Sequence, residues 1–354
     1  QWRGEQLATL AWASLGLGVL ILLVLSIAAP WVATWYGRPD LSGLLPLMAL
    51  PLLITPFAAA QGGLLMRDFR FDLAAKIEVG AYLFSLLILV LFLWLGWGVW
   101  AMALSFVGRN VAAAVACWWL ARRLYPVNWW KSASLRSVWP MLRFGSLDLS
   151  ARWADFLANY LDKLIVGKWL GAEALGFYHI AFSLCVLPTA RLGYVVTRVT
   201  YPVFAKLRTD AAQLQAFFQR SAQDVVLVLF PVYLGMALFS QEIIGLLYGP
   251  DWLAAAPLLL AFSIGGLVRS LNAVFPQLTK GIGKPQLTTA WMSLWTVLST
   301  LFLILFLALE PTANAAAWSR VVAKFSVELP LLFLLAHWCR VDFRPVFKYA
   351  LRFI

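Results

Sequence analysis

Charge is scarce in this chain. Only 12% of its 354 residues are Asp, Glu, Lys or Arg, about half the share in a soluble domain. That shortage excludes an ordinary water-soluble fold. Histidine is nearly missing, with His179 and His337 far apart, so no metal site is expected. The three cysteines, Cys117, Cys185 and Cys339, fall in apolar stretches without paired spacing, which excludes a disulfide framework or a zinc site. Acidic residues are fewer than basic ones, 16 against 28, for a net charge of +12. No basic module or recognition motif accompanies that excess, so nucleic acid is not an expected partner.

What is abundant is apolar sequence. Hydrophobic residues make up 62% of the chain, with 19 tryptophans, and the mean hydropathy is +0.82. About ten stretches approach the ~20 apolar residues that cross a bilayer as a helix. They lie near 7–35, 43–65, 77–96, 98–121, 144–167, 174–204, 222–247, 255–279, 287–309 and 313–338. The expected fold class is therefore an all-α polytopic membrane protein. The chain starts without Met and stops inside a new apolar run, as expected of a piece of a longer protein.

The loops give an orientation. Basic residues collect in every second connection: Arg67, Arg70 and Lys76; Arg122, Arg123, Lys131 and Arg136; Lys206, Arg208 and Arg220; Lys280 and Lys284; Arg340 and Arg344. The alternate connections carry little beyond Arg38 and Lys168. This is the positive-inside pattern, and it puts Gln1 in the cytoplasm. A faint parallel repeat also shows: "YGRPDLSGLLPLMALPLL" at 36–53 resembles "YGPDWLAAAPLLLAFSIG" at 248–265.

Against this apolar background, charges inside spans stand out. Each costs roughly 2.5–3.5 kcal/mol at a helix centre, so each should face water or a partner. In "DLSARWADFLANYLDK", residues 148–163, a helical turn of about 100° per residue puts Asp148, Arg152, Asp155, Asn159, Asp162 and Lys163 on one face roughly 100° wide. Trp153, Leu157, Tyr160, Leu161 and Leu164 take the other. Two readings follow: a wall of a water-filled cavity, or a salt-bridged seam joining two helices. Arg191 and Arg198 share a face of the next span and have no acidic residue on it. Arg198 lies near the expected cytoplasmic boundary, where a long side chain can reach the interface. Arg109 and Arg269 are likewise without an acid within one turn. Lys324 sits between Arg320 and Glu328 at spacings of four, which allows a self-paired ladder. Cations exceed anions among these sites, so an inferred cavity would attract a negatively charged substrate.

Residues 143–207 resemble the oligosaccharide-lipid flippases of the multidrug/oligosaccharidyl-lipid/polysaccharide exporter superfamily, closest to the colanic-acid exporter type. The shared elements are the Gly167, Leu170, Gly171, Leu175, Gly176, Tyr178 turn, the helix end from Thr197 to Lys206, "LLYG-x-x-W" from Leu246 to Trp252, and "GLVRS" from Gly266 to Ser270. The resemblance implies a MOP-type two-bundle transporter and not an enzyme. It divides the chain into a partial N-terminal bundle at 1–125 that lacks its opening helices, a cytoplasmic linker at 126–143, a C-terminal bundle at 144–338, and the start of a truncated further segment at 339–354. It implies movement of undecaprenyl-pyrophosphate-linked oligosaccharide from the cytoplasmic to the periplasmic leaflet of a bacterial inner membrane, by alternating access. Arg191, Arg198, Arg109 and Arg269 would then contact pyrophosphate or acidic sugars. Asp148, Arg152, Asp155, Asn159, Asp162, Lys163 and Lys324 would line the sugar path. No cofactor is expected beyond a coupling proton or sodium ion. The expected partners are the lipid-linked oligosaccharide and membrane lipid, with a polysaccharide polymerase and chain-length regulators as further candidates. Two alternatives remain at this point: a multidrug/cation antiporter of the same superfamily, and a polysaccharide polymerase or membrane glycosyl-transfer enzyme.

Overall fold

The computed structural model describes residues 4–68, 70–124 and 135–353. Within these, side chains are described except at 4–7, 60–61, 66–67, 121–123, 135–155, 158–159, 193–195, 197–199, 285 and 353. The described residues are helical and contain no strand. The chain divides into two compact units, Gln1–Leu147 and Asp148–Ile354.

The first unit opens with a long helix, α1 (Gly4–Tyr36), which carries Pro30 inside it. A turn at Gly37 leads to α2 (Leu41–Ala49) and α3 (Thr55–Arg67). The two are separated by a tight 3-10 turn at Leu50–Leu53, where Pro51 lacks the amide that a continuous α-helix would need. A hairpin of α4 (Phe71–Trp94) and α5 (Val99–Leu124) follows across Gly96 and Gly98. Leu83, Leu86, Leu87, Val90 and Leu91 of α4 are exposed, as expected of a helix whose outer surface is solvated by lipid.

The second unit begins in α6 (Leu135–Leu207). This is two helices in sequence, because Gly171 sits at φ 86°, ψ −179°. Only glycine adopts that conformation readily, so the chain reverses there, between the expected spans 144–167 and 174–204. Next come α7 (Ala211–Leu238), capped by the Asp210 carboxylate on the Gln213 amide at 3.0 Å, and α8 (Ser240–Tyr248). After a 3-10 turn at Pro250–Ala255 come α9 (Ala256–Asn272), α10 (Phe275–Gly281) and α11 (Pro285–Leu309). The last span joins α12 (Ala313–Ala323), a π-helical turn at Lys324–Glu328, and α13 (Leu329–Trp338); α14 (Arg344–Ala350) closes the unit. Between Pro250 and Gly281 the best membrane-length window is 72% buried, against 6% for α4, so α9 and α10 form the centre of this unit. Tyr178, Phe204, Phe218, Phe230 and Tyr233 share their buried cluster.

Nine helical runs among the described residues are long and apolar enough to span a membrane. Tyr160–Leu192 counts as one of these although Gly171 breaks it. The two units also share an internal plan. Tyr36–Gly37 and Tyr248–Gly249 both end a helix with glycine at positive φ, 65° and 90°. The hairpin α4–α5 has its counterpart in α11 and α12–α13, which start 214 residues later, at 285 against 71 and at 313 against 99.

Candidate functional site

The polar core of the second unit is built from both arms of α6, from α9, and from the α11–α12 hairpin. Asp162 lies on the first arm of α6 and Tyr178 on the second, and the reversal at Gly171 brings them together. The Tyr178 hydroxyl donates to Asp162 Oδ2 at 2.9 Å. The Arg320 guanidinium on α12 reaches the same oxygen at 3.1 Å. All three side chains are buried, so one carboxylate fastens three helical segments. The bridge answers the electrostatic demand of each partner. Arg320, read from spacing as part of a ladder with Lys324, instead pairs across the fold with Asp162. Lys163 stands 4.0 Å from Asp162 Oδ1, and its ammonium lies over Phe182 at 4.0 Å and Tyr160 at 4.7 Å.

A second buried pair sits one turn further along. Lys324 binds Glu328 at 2.5 Å across the π-helical turn. In that turn the Leu329 amide bonds back five residues to the Lys324 carbonyl, inserting one extra residue into the helix. Such insertions are frequent at functional sites. Asn272 on α9 donates to the other Glu328 oxygen at 3.4 Å, and the Lys324 ammonium lies 4.9 Å from the centre of the Trp295 ring.

Between these elements is a cavity of about 260 Å³. Its wall includes Thr189 from α6, Arg269 and Asn272 from α9, Trp291 and Trp295 from α11, and Arg320, Lys324 and Glu328 from the last span. Arg320 is engaged by Asp162 and Lys324 by Glu328. Arg269 has no carboxylate within 4 Å among the described residues; its guanidinium lies 5.8 Å from the Phe182 ring centre.

The remaining candidates are distributed differently. Arg109 belongs to the first unit, where it donates to the Tyr82 hydroxyl at 2.9 Å and lies over the Tyr82 ring at 4.9 Å. A cation on the second arm of a hairpin over an aromatic ring on the first thus occurs in both units, as Arg109 over Tyr82 and Lys324 over Trp295. Arg191 is exposed and does not line the cavity. The side chains of Asp148, Arg152, Asp155, Asn159 and Arg198 lie outside the described residues. Trp291, Trp295, Asn272 and Tyr178 were not selected by charge. Only the four-residue spacing of the two tryptophans and the three-residue spacing from Arg269 to Asn272 put Trp291, Trp295 and Asn272 on shared helix faces, a signal the charge pattern does not carry. Among the described residues no group of three His, Cys, Asp or Glu side chains could hold a metal ion.

Membrane-length helices in two units with a shared plan define a multi-pass membrane protein. The chain belongs to the polysaccharide biosynthesis protein family, whose sequence profile matches residues 1–257. It is 29% identical over 337 residues to the teichuronic acid biosynthesis protein TuaB of Bacillus subtilis, covering 94% of this chain and 68% of that protein. It is 27% identical over 271 residues to the lipopolysaccharide biosynthesis protein WzxC of Escherichia coli, covering 75% of this chain and 54% of that one. The chain thus spans about half to two-thirds of the length of these relatives. The fold matches that of the lipid II flippase MurJ in an inward closed conformation, with a TM-score of 0.76 at 13% identity, over all of this chain and 77% of that one.

Proposed function

We propose that the protein flips undecaprenyl-pyrophosphate-linked oligosaccharide units from the cytoplasmic to the periplasmic leaflet of a bacterial inner membrane, for assembly of a surface polysaccharide. The observation that carries this reading is Arg269: a guanidinium in the wall of a cavity inside the membrane-spanning core, with no carboxylate within 4 Å among the described residues. A substrate anion can supply that neutralisation while the lipid tail stays in the bilayer. Family membership and the MurJ-like fold support the same reading. Transport proceeds by alternating access, with Arg191, Arg198 and Arg109 as further contacts for pyrophosphate or acidic sugars, and with Asp148, Arg152, Asp155, Asn159, Lys163 and Lys324 along the sugar path. A proton or sodium ion is the coupling ion, and a polysaccharide polymerase with its chain-length regulators takes over the product. Gln1 faces the cytoplasm, on the strength of the basic loops.

The test is export in a strain lacking its own flippase of this class. Arg269→Gln should reduce surface polysaccharide at least tenfold at equal membrane abundance, with the lipid-linked precursor accumulating on the cytoplasmic side. Unchanged polysaccharide with that variant would remove Arg269 from the path. An organic-cation antiporter is disfavoured because three cations and one carboxylate line the wall.

A further inference from the structure

We propose that the end of the second unit around α14 is a docking surface for anionic phospholipid headgroups of the adjoining leaflet, the cytoplasmic one by the basic-loop orientation. The inference goes beyond the flippase reading, because it concerns a surface outside the cavity and does not depend on the substrate carried.

The first turns of α7 tie this end together. Gln215 clamps the backbone at Asp342: its Nε2 donates to the Asp342 carbonyl at 2.9 Å, and its Oε1 accepts from the Asp342 amide at 2.6 Å. Phe217 meets the Phe204 ring edge-on at 5.1 Å, and Phe218 meets Phe275 at 5.1 Å. Phe343 lies 5.5 Å from Phe275 and 5.1 Å from Phe333. Gly281, at the end of α10, comes so close to Phe204 that a Cβ on it would stand 2.4 Å away. α14 packs against α7 with Val346 and Ala350 buried, so one face of it is fixed. The other carries Arg344, Lys348 and Arg352 at spacings of four, all exposed. Lys206, Lys280 and Lys284 are exposed at the same end.

None of these six cations has a carboxylate within 4 Å among the described residues. The acids beside them in sequence face amides instead: Asp210 caps α7 through Gln213, and Asp342 accepts from the Arg344 amide at 3.0 Å. The surface therefore presents an uncompensated positive field on a fixed frame, and its depth selects the lipid headgroup. The membrane-length runs end at Gly281 and Trp338 and begin at Ala211 and Gln286, so the cations flank the hydrocarbon boundary. Trp338 and Tyr201, 50% and 45% exposed, mark headgroup level there. Leu351, beside Arg352, is 52% exposed. An apolar side chain among cations suits the boundary between headgroups and acyl chains better than open water. With two steps of four residues, the row on α14 runs about 12 Å. That is longer than one pyrophosphate group bridges, so it calls for several neighbouring headgroups. Juxtamembrane cations are drawn to an anionic leaflet in this way, and salt screens the attraction.

The experiment measures the lipid selectivity of the full chain in phosphatidylcholine bilayers. Trace spin-labelled phosphatidylglycerol or spin-labelled phosphatidylcholine is added, and the fraction of each label immobilised at the protein is read. Phosphatidylglycerol is expected to associate roughly threefold more strongly or better, and high salt should remove most of the difference. Arg344→Gln, Lys348→Gln and Arg352→Gln together should at least halve that preference in protein whose size-exclusion profile is unchanged. Arg67→Gln, Arg70→Gln and Lys76→Gln together, from a basic connection of the first unit, should lower it less. No preference for phosphatidylglycerol, an unchanged preference in the α14 variant, or an equal fall in the control each overturns the surface. So does an α14 variant that loses export while keeping its lipid selectivity, because the row would then serve an acidic protein partner.

Discussion

At the scale of single residues, the buried charges among the described residues, Asp162, Arg320, Lys324 and Glu328, act as fasteners, while Arg269 stays open to the cavity. Asp162 receives Tyr178 and Arg320 at hydrogen-bond distance, so removing one partner leaves an uncompensated charge, at a cost of roughly 3–5 kcal/mol. Asp162→Ala should therefore lower the thermal stability of the detergent-solubilised protein sharply. Adding Arg320→Met to it should recover much of the loss, and a double-mutant cycle with additive losses would show that the two side chains do not couple. Helical spacing put a polar face on residues 148–163, and Asp162 and Lys163 are the two of its six charged or amide side chains that the structure describes. Its partner Arg320 was not legible as a partner. Spacing reports neighbours one turn away, and this contact joins residues far apart in the chain.

At the scale of elements, two local devices position the polar core. The first is Gly171, whose backbone lies in a region that is essentially closed to side chains. Gly171→Ala should cost about 1–3 kcal/mol, read as reduced abundance and an earlier thermal transition, with no rescue by asparagine. The second is the π-helical turn at Lys324–Glu328. Deleting Ser326 would restore an α-helical register and shift every residue after the turn by one position relative to Arg320 and Lys324. Export is expected to fall while membrane insertion persists; full export by the deletion would show that the turn is dispensable. The reversal near Gly171 was legible because apolar length runs out there and glycines cluster. The π-helical turn was not, since one inserted residue scarcely disturbs an apolar pattern already interrupted by charge. The close approach of Gly266 to Tyr233 was equally hidden. A Cβ there would stand 2.4 Å from the ring, so Gly266→Ala should destabilise this unit even though alanine favours helices.

At the scale of the molecule, most of the fold could be read from the sequence. Apolar lengths of bilayer size gave the span pattern, and the Tyr-Gly repeat marked corresponding helix ends in the two units. Sidedness follows from the loops and is open to direct measurement. In a cysteine-free background, single cysteines replacing Arg38 or Lys168 should react with a membrane-impermeant maleimide in intact cells, and those replacing Lys76, Arg208 or Lys284 should not. The opposite labelling would invert the topology.

The Asp162 bridge also sets an order of events during synthesis. Both arms of α6 leave the ribosome long before α12, so Asp162 must enter the bilayer with Tyr178 at hand and Arg320 still unmade. Until α12 arrives, a buried carboxylate waits for its counter-charge. Nascent chains stalled before Ala313 should therefore be held by insertion factors or cleared by membrane proteases. Chains that extend past Arg320 should escape both, which makes the last described span the step that commits the second unit to its native form.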